Sequence, residues 1–264
     1  MYKSRGQPLL APRPVVYFFS DFGLHGPYAG QVEAIIAHRT QAHFINLLSN
    51  APAADPFRSS YLLAALYEEL PVKKGYFLAV VDPGVGSDRQ VITFQIGNMT
   101  FLGPDNGLFS RLIARHDVKK VALLDYPGQR ISNSFHARDW FAPELAKLIN
   151  GEAMNFQFLA SADLVGNDWS EILKEIIYID HYGNLMSALP AKEVSSQMKI
   201  MLGNQQISYA RTFSEVSAGS LFWYENSMGL VEIAANCASA SQLTGLNIGS
   251  EIHLIDVLNN EINH

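Results

Sequence analysis

GYFLAVVDPGVGSDRQ, residues 75–90, decides how the rest of the chain is read. The run Gly75 to Val81 is apolar and lacks the in–out alternation of a half-exposed strand. Such a run is a strand buried on both faces, the mark of a parallel sheet covered by helices. It stops at an acid, Asp82, turns through Pro83-Gly84-Val85-Gly86, and meets an arginine, Arg89, seven residues after the acid. Asp-Pro-Gly is a favoured turn, so the two charges are either solvated turn residues or two members of a site.

Working outward, VVYFFS (15–20) has the same unalternating, β-branched and aromatic character. DFGLHGP breaks it, and YAGQVEAIIAHR (28–39) has helical spacing of apolar residues. HFINLL (43–48) reads as a further strand. Asp55-Pro56 is an N-cap followed by Pro at the first helical position, opening a helix to about Glu69. VITFQI and MTFLG (91–103) predict a hairpin around Gly97-Asn98. A helix near 106–115 and a strand near 119–124 follow. Asp139 to Asn150 predicts a helix closed by Gly151, with Pro143 tolerable only in its first turn. Alternation of this kind to about residue 150 predicts an α/β layered domain with a mostly parallel sheet.

After about residue 168 the texture changes. EIIYID, NLMSAL, KIMLG, QQISYA, SLFWYE, LVEIAA and EIHLIDVL alternate with turn residues, the spacing of a small β-barrel-like domain or sandwich. The polar stretch GNDWS separates the two textures, so the expected domains are 1–167 and 168–264.

Composition narrows the classes. Of 264 residues, 48% are hydrophobic and 17% charged, enough for a sizeable core and unlike a disordered chain. A formal charge of −6 argues against a nucleic-acid partner, which calls for clustered Lys and Arg. Cys237 is the only cysteine, so neither an intramolecular disulfide nor a cysteine zinc cluster can form. The eight histidines are scattered without ligand spacing, so no metal is expected. No run reaches the ~20 apolar residues of a membrane span, and MYKSRGQPLLAPRP has no apolar stretch long enough for a secretory signal. These features predict a cytoplasmic protein without a membrane partner, with residues 1–13 loose at its start.

In open α/β sheets ligands sit beyond the carboxyl ends of the strands. Four polar clusters occupy such places: Ser20-Asp21-Phe22-Gly23, Asp82 to Gly86, Gly103-Pro104-Asp105-Asn106-Gly107, and Ser134 to Asp139 with His136. Asp21-Phe22-Gly23 matches the kinase magnesium triplet, but the catalytic loop and lysine strand of that fold are missing. GxSxG, the P-loop, GxGxxG and HExxH are missing too. His136 is either a cap-region histidine or a chemical group, and Asp180 with Asn184 either frames a plain β-turn or faces a ligand.

Taken in order, SDFG (20–23), VVDPGVGSDRQ (80–90), LGPDNGLF (102–109), SFHARDWFAP (134–143) and YIDHYGN (178–184) resemble the signatures of the S-adenosylmethionine hydroxide adenosyltransferases, relatives of the fluorinase and chlorinase. The resemblance runs from about residue 15 to about 240. It implies hydrolysis of S-adenosylmethionine to adenosine and methionine without a cofactor. It also implies a homotrimer whose substrate lies between the amino domain of one subunit and the carboxy domain of the next. The hydrolases' Asp–Arg–His set falls on Asp82, Arg89 and His136, which halogenating relatives lack. Asp21 matches the carboxylate on the ribose hydroxyls, Asp180 the partner of the methionine ammonium, Asn184 the adenine edge, and Ser227 in YENSMGLVEIAANC (224–237) the methionine carboxylate. Phe213 matches an aromatic stacked on adenine and Phe57 a pocket wall. The chain departs from the pattern at Ala137, where many relatives have Gly, at Gln90, where many have a second Arg, and at Met228, where halogenase relatives have Arg. Alternatives are a binding module for adenosine or S-adenosylmethionine without turnover, and a halogenase.

The expected chemistry is attack on the ribose 5′ carbon, with neutral thioether leaving from sulfonium. Charge is annihilated in that step, which a dry pocket favours. His136 is expected to accept a proton from the attacking water, Asp82 to orient it, and Arg89 to fix the carboxylate. The aromatic run Leu221-Phe222-Trp223-Tyr224 reads as core or subunit interface.

Overall fold

A computed structural model describes residues 13–116, 118, 120–128, 131–203 and 205–256. The expectations for residues 1–12 and for the end of EIHLIDVL lie outside them. In chain order the amino-terminal elements are β1 (Val15–Ser20), α1 (Tyr28–Arg39), β2 (His43–Leu48), α2 (Pro56–Glu68), β3 (Lys74–Val80), β4 (Val91–Ile96), β5 (Asn98–Pro104), α3 (Ser110–Arg115), β6 (Lys120–Leu124), a π-helical turn (Ala137–Phe141), α4 (Ala142–Asn150) and β7 (Phe156–Ala160). The carboxy-terminal ones are β8 (Ile176–Ile179), β9 (Leu185–Pro190), β10 (Met198–Leu202), β11 (Gln205–Ile207), β12 (Leu221–Glu225), β13 (Leu230–Ala235), α5 (Ala240–Thr244) and β14 (His253–Asp256).

Seven strands form one sheet in the order β2-β1-β3-β5-β4-β6-β7. β2, β1, β3 and β5 are parallel neighbours, whereas β4 and β7 run against the rest. Strand β3 lies inside the sheet, which is why its residues from Tyr76 to Val80 are apolar. Phe77, Ala79 and Val81 pack with Tyr61 and Leu62 of α2 and Leu112 of α3. Leu78 and Val80 pack on the other face with Val32 and Ile36 of α1 and Leu145 of α4. Two apolar faces need two helical layers. The predicted mostly parallel α/β layer structure is what forms.

Local chemistry sets the element ends. Asp55 caps α2, its Oδ1 accepting from Arg58 N at 2.9 Å, with Pro56 in the first turn. Gly151 closes α4 in the left-handed conformation at φ +69°. The hairpin β4–β5 turns at Gly97, φ +55°.

Two expectations need correction, and one strand was missed. The helix predicted over 106–115 begins only at Ser110, because Gly107 sits at φ +92° and Asn106 is spent on the loop. Asn106 donates through Nδ2 to Val81 O at 2.8 Å and accepts through Oδ1 from Leu108 N. The helix predicted from Asp139 starts earlier, in the π turn at Ala137. Strand β7 was not anticipated; it is an edge strand with Phe158 65% exposed, so burial leaves no apolar pattern there.

Beyond β7 the predicted β-rich texture gives two antiparallel sheets, β12-β13-β9-β8 and β11-β10-β14. Bridges Glu175↔Glu251 and Tyr209↔Trp223 join their edges, closing a barrel-like ring around Ile200, Trp223, Val231 and Ile252. The two halves of the chain share one core. Ile177, Met186 and Leu230 pack with the residues of α2 and β3. Arg58 donates to Glu175 Oε2 through Nε and Nη2 at 2.9 and 2.6 Å, and Tyr61 Oη to Ser170 O at 2.5 Å.

Candidate active site

The end of the central strand delivers Asp82 to the carboxyl edge of the sheet. The loop that follows is built to return. Val85 N donates to Asp82 O, Ser87 N and Oγ both donate to Gly84 O, and Arg89 N donates to Ser87 Oγ. Gly86 sits at φ +84°, and a Cβ there would lie 2.5 Å from Asn133 O. Only glycine fits both constraints.

This fold-back brings Arg89 onto Asp82. Arg89 Nε donates to Oδ1 at 2.8 Å and Oδ2 at 2.9 Å, and Nη2 to Oδ2 at 2.5 Å. The side chains are only 8% and 5% exposed, so this pair is shielded from the solvent that weakens surface ion pairs. Arg89 Nη2 also reaches His136 Nδ1 at 3.1 Å. His136 is 3% exposed and stands just before the π turn, its ring edge-on to Trp140 and Phe141. Burial holds its imidazolium form down first, and the Arg89 cation adds to this, so its pKa lies below the ordinary histidine value although Asp82 and Asp139 pull the other way.

The contact also assigns the imidazole proton. Arg89 can only donate, so Nδ1 accepts and the neutral ring carries its hydrogen on Nε2. Among the described residues Nε2 has no hydrogen-bond partner, and its ring lines a 160 Å³ cavity with Asp21, Asp82, Phe22, Phe135 and Ala137. Asp21 Oδ2 accepts from Ala54 N at 2.8 Å. Burial raises its pKa first, and the nearby Asp82 charge also raises it. Ala54 holds φ +54°, one of two non-glycine residues with positive φ among those described. Aiming its N–H at Asp21 keeps it there at a cost typical of strained site residues.

A second polar cluster lies on the barrel-like half. Asp180, Asn184, Phe213, Tyr224 and Cys237 line a 640 Å³ cavity. Asp180 Oδ1 accepts from Tyr182 N at 2.9 Å and Asn184 N at 2.8 Å, and Oδ2 from Asn184 Nδ2 at 2.9 Å. One N–H of the Asn184 amide is therefore used, and its Oδ1 is buried with no partner. Gly183 holds φ +83°, where a Cβ would lie 2.0 Å from Ser239 Oγ.

The structure thus brings Asp21, Asp82, Arg89 and His136 together, and separately Asp180, Asn184 and Phe213. Ser227 is exposed on the turn between β12 and β13 and lines neither cavity. Phe57 packs edge-on against Trp169 at 4.9 Å and likewise lines neither. Met228 packs against the core shared by the two halves. Tyr224 was read with its neighbours as core or interface. Phe222 and Trp223 are buried, but Tyr224 is a cavity wall.

Glu232, a residue that sequence reasoning passed over, holds that wall. It is buried opposite Tyr224 across the strand pair, accepts from Tyr224 Oη at 2.5 Å, and accepts from Asn226 Nδ2 at 2.8 Å. The signal was an acid inside the apolar strand LVEIAA. Among the described residues no group of three or more His, Cys, Asp or Glu is placed to hold a metal ion, and no helix is long and apolar enough to cross a membrane.

An α/β sheet bearing a buried carboxylate–guanidinium–imidazole set beside a 160 Å³ cavity, followed by a β ring with a 640 Å³ one, makes a two-part protein. The family models agree. Residues 16–157 match the SAM hydroxide adenosyltransferase N-terminal domain and residues 174–253 its C-terminal domain. The chain belongs to the SAM hydroxide adenosyltransferase family. A relative from Thermus thermophilus named (R)-S-adenosyl-L-methionine hydrolase is 34% identical over 92% of this chain and 100% of its own. One of the same name from Salinispora arenicola is 30% identical over 93% and 99%. Among solved structures, an uncharacterised conserved protein from Thermotoga maritima has a TM-score of 0.79 at 25% identity, covering 91% of this chain and all of that one.

Proposed function

We infer that the chain is an enzyme that hydrolyses S-adenosyl-L-methionine to adenosine and L-methionine. The observation that carries this reading is the Asp82–Arg89–His136 set, of which Asp82 and His136 line the cavity that also holds Asp21. Its relatives' name supports the same substrate.

In the proposed mechanism, Asp21 accepts from the ribose hydroxyls, and the 5′ carbon faces Asp82 and His136. Water attacks in line with the carbon–sulfur bond. The new C–O bond forms as the electron pair of the breaking bond leaves with sulfur as neutral thioether. No metal, acid or cofactor is needed for departure, because the leaving group is already cationic sulfur. The Arg89 contact supports a role for His136 other than the proton acceptor first expected. With Nδ1 occupied by Arg89, the ring is a donor at Nε2; it fixes the nucleophile's oxygen instead of taking its proton. Asp82 is the group left to receive that proton, since its Oδ1 accepts only from Arg89 Nε and keeps a lone pair. Arg89 stays charged throughout, holds both partners, and keeps the imidazole neutral.

The second half of the reading is an active site completed between subunits of a homotrimer. The 160 Å³ cavity is smaller than the ~300–1,000 Å³ usual for small-molecule sites. It shares no residue with the 640 Å³ cavity where Asn184 Oδ1 suits an adenine amino group, Asp180 completes the loop, and Phe213 offers a ring face. Ser227 and Phe57 would enter the site only through such an assembly.

The direct test is to incubate the protein with S-adenosyl-L-methionine of (R) and (S) configuration at sulfur, with and without chloride, and to chromatograph the nucleosides. Adenosine with equimolar methionine is expected. A 5′-chlorinated nucleoside would make it a halogenase, and saturable binding without turnover would make it a binding module.

A further inference from the structure

The motif SFHARDWFAP carries two charges that the reaction as described leaves unused, Arg138 and Asp139. Both lie in the π turn that follows His136, and π turns gather at functional sites. Neighbouring residues on a helix do not face each other, so the Arg138 side chain folds back over its own turn. Its Nε donates to Asp139 Oδ1 at 2.6 Å and its Nη2 to Asp139 Oδ2 at 2.9 Å. Nη1 donates to Gln31 Oε1 of α1 at 2.9 Å, and the guanidinium lies 5.0 Å from the centre of the Phe135 ring. Phe22 and Tyr28 meet the same ring edge-on at 5.7 and 5.4 Å.

Asp139 acts on the backbone side. Its Oδ2 also accepts from Ser132 N at 2.9 Å. The turn tied down by this bond is otherwise held by longer ones, Phe135 N to Ser132 O and Ser134 N to Ser132 Oγ, both at 3.4 Å. The same turn packs on the Asp82–Arg89 loop, where a Cβ at Gly86 would lie 2.5 Å from Asn133 O. Ser134, Phe135 and His136, which it carries, line the cavity of Asp21 and Asp82. Arg138 first, and Ser132 N–H after it, hold the Asp139 carboxyl below the ordinary aspartate value, so it stays ionised. With side chains 35% and 22% exposed, the ion pair itself adds little to global stability.

We propose that Arg138 and Asp139 are a positioning pair for the hydrolytic site, the carboxylate tethering the turn that carries His136 and the guanidinium clamping Phe135 as a cavity wall. The inference rests on the hydrolase reading. The 3.1 Å contact between Arg89 and His136 joins two segments, and the tether at Ser132 sets where the second lies against the first. Displacing reacting groups by 1 Å costs about 10²-fold in rate, so a small shift of this turn is felt in kcat. Asp139 also reaches His136 through its charge. The charged and titratable groups around the imidazole are Arg89 and Asp82 from the loop after β3, Asp139 from its own turn, Asp21 across the cavity, and Tyr126 beyond β6 with its ring 6.5 Å away. Asp82 and Asp139 favour the imidazolium and Arg89 opposes it. Removing the Asp139 carboxylate therefore lowers the histidine pKa further, and stripping that carboxylate of Arg138 raises it.

The test compares Asp139→Asn and Arg138→Ala, with Arg138→Lys as the conservative variant, by kcat, KM for S-adenosyl-L-methionine and the pH profile of kcat. In Asp139→Asn one oxygen must serve the donors that two served, and in Arg138→Ala the clamp on Phe135 is gone. Each should lose about ten-fold in kcat at neutral pH, with a smaller change in KM. The acid limb of kcat should move to lower pH in Asp139→Asn and to higher pH in Arg138→Ala. Arg138→Lys, which keeps the cation, should bring it back towards the wild-type position. A pair that merely stabilises the fold would shift the urea midpoint and leave both limbs in place. A kcat within about two-fold of wild type in both variants overturns the proposal, and so do limbs that stay put or move together. If Asp139→Asn is too unstable to assay, the two Arg138 variants decide by the same readings. Failure of the wild-type protein to form adenosine would instead sink the hydrolase reading, and is seen before any variant is made.

Discussion

His136 carries two consequences at the scale of a single residue. If its Nε2–H holds the nucleophile, His136→Gln, which keeps an amide donor at the same reach, retains most of kcat. His136→Ala should then lose about 10²–10³-fold, the usual cost of deleting one preorganised donor. Equal losses in both variants, measured under saturating substrate, would restore the proton-accepting role. The pH dependence has a definite sign. Protonation sets an imidazolium against Arg89 at 3.1 Å and removes the acceptor at Nδ1. Turnover therefore falls as pH drops through a histidine pKa that burial and Arg89 hold below 6.5. The same depression makes the unfolded chain the better proton binder. Its stabilising contribution is present above the unfolded value near 6.5 and is lost as pH falls through the folded one. Urea melts between pH 7.5 and 5 would show the decline, and His136→Gln should flatten it.

At the scale of elements, the strand pair β12–β13 is the unit that shapes the larger cavity. Tyr224 and Glu232 face each other across it. Asn226 links Glu232 to the turn by accepting from Met228 N and Leu230 N at 2.9 and 3.0 Å. Glu232 has a pKa raised by burial first, with the Asp180 charge adding to this, and still accepts two donors. In Glu232→Gln the new amide nitrogen must face either Asn226 Nδ2 or Tyr224 Oη. We expect adenosine affinity to fall about ten-fold, with kcat at saturation little changed, a separation that titration calorimetry and steady-state kinetics read together. A different element prediction concerns β5. A Cβ on Gly103 would lie 2.3 Å from Ala79 O and 2.9 Å from the Phe109 ring. Gly103→Ala should cost about 1–3 kcal/mol in urea unfolding, the range for overpacking a filled core. Elements of this kind were legible to different degrees. The buried strands and capped helices announced themselves through apolar runs, Asp55-Pro56 and Gly151. Strand β7 did not, because an exposed edge imposes no pattern on its residues. The π turn did not either, since it is where His136 and Trp140 are aimed by packing and not by local propensity.

For the whole molecule, the division of the polar clusters between the Asp82 cavity and the Asn184 cavity is the organising fact. One core joins the halves, yet the polar clusters share no lining residue. If subunits complete each other, specific activity should fall on dilution in step with the loss of trimer mass in light scattering. Undiminished activity in a verified monomer would contradict a shared site.

The order of strands and helices, the change of texture near residue 168, and the identity of Asp82, Arg89 and His136 as a set were all present in the sequence. They follow from burial periodicity, turn chemistry and five motifs in order, which are properties of neighbouring residues. Which nitrogen of His136 carries the proton and that Glu232 braces Tyr224 were decided by the tertiary structure alone. Each depends on atoms 6 to 47 positions apart in the chain meeting within hydrogen-bond reach or spending their donors elsewhere, and no local pattern records such a meeting.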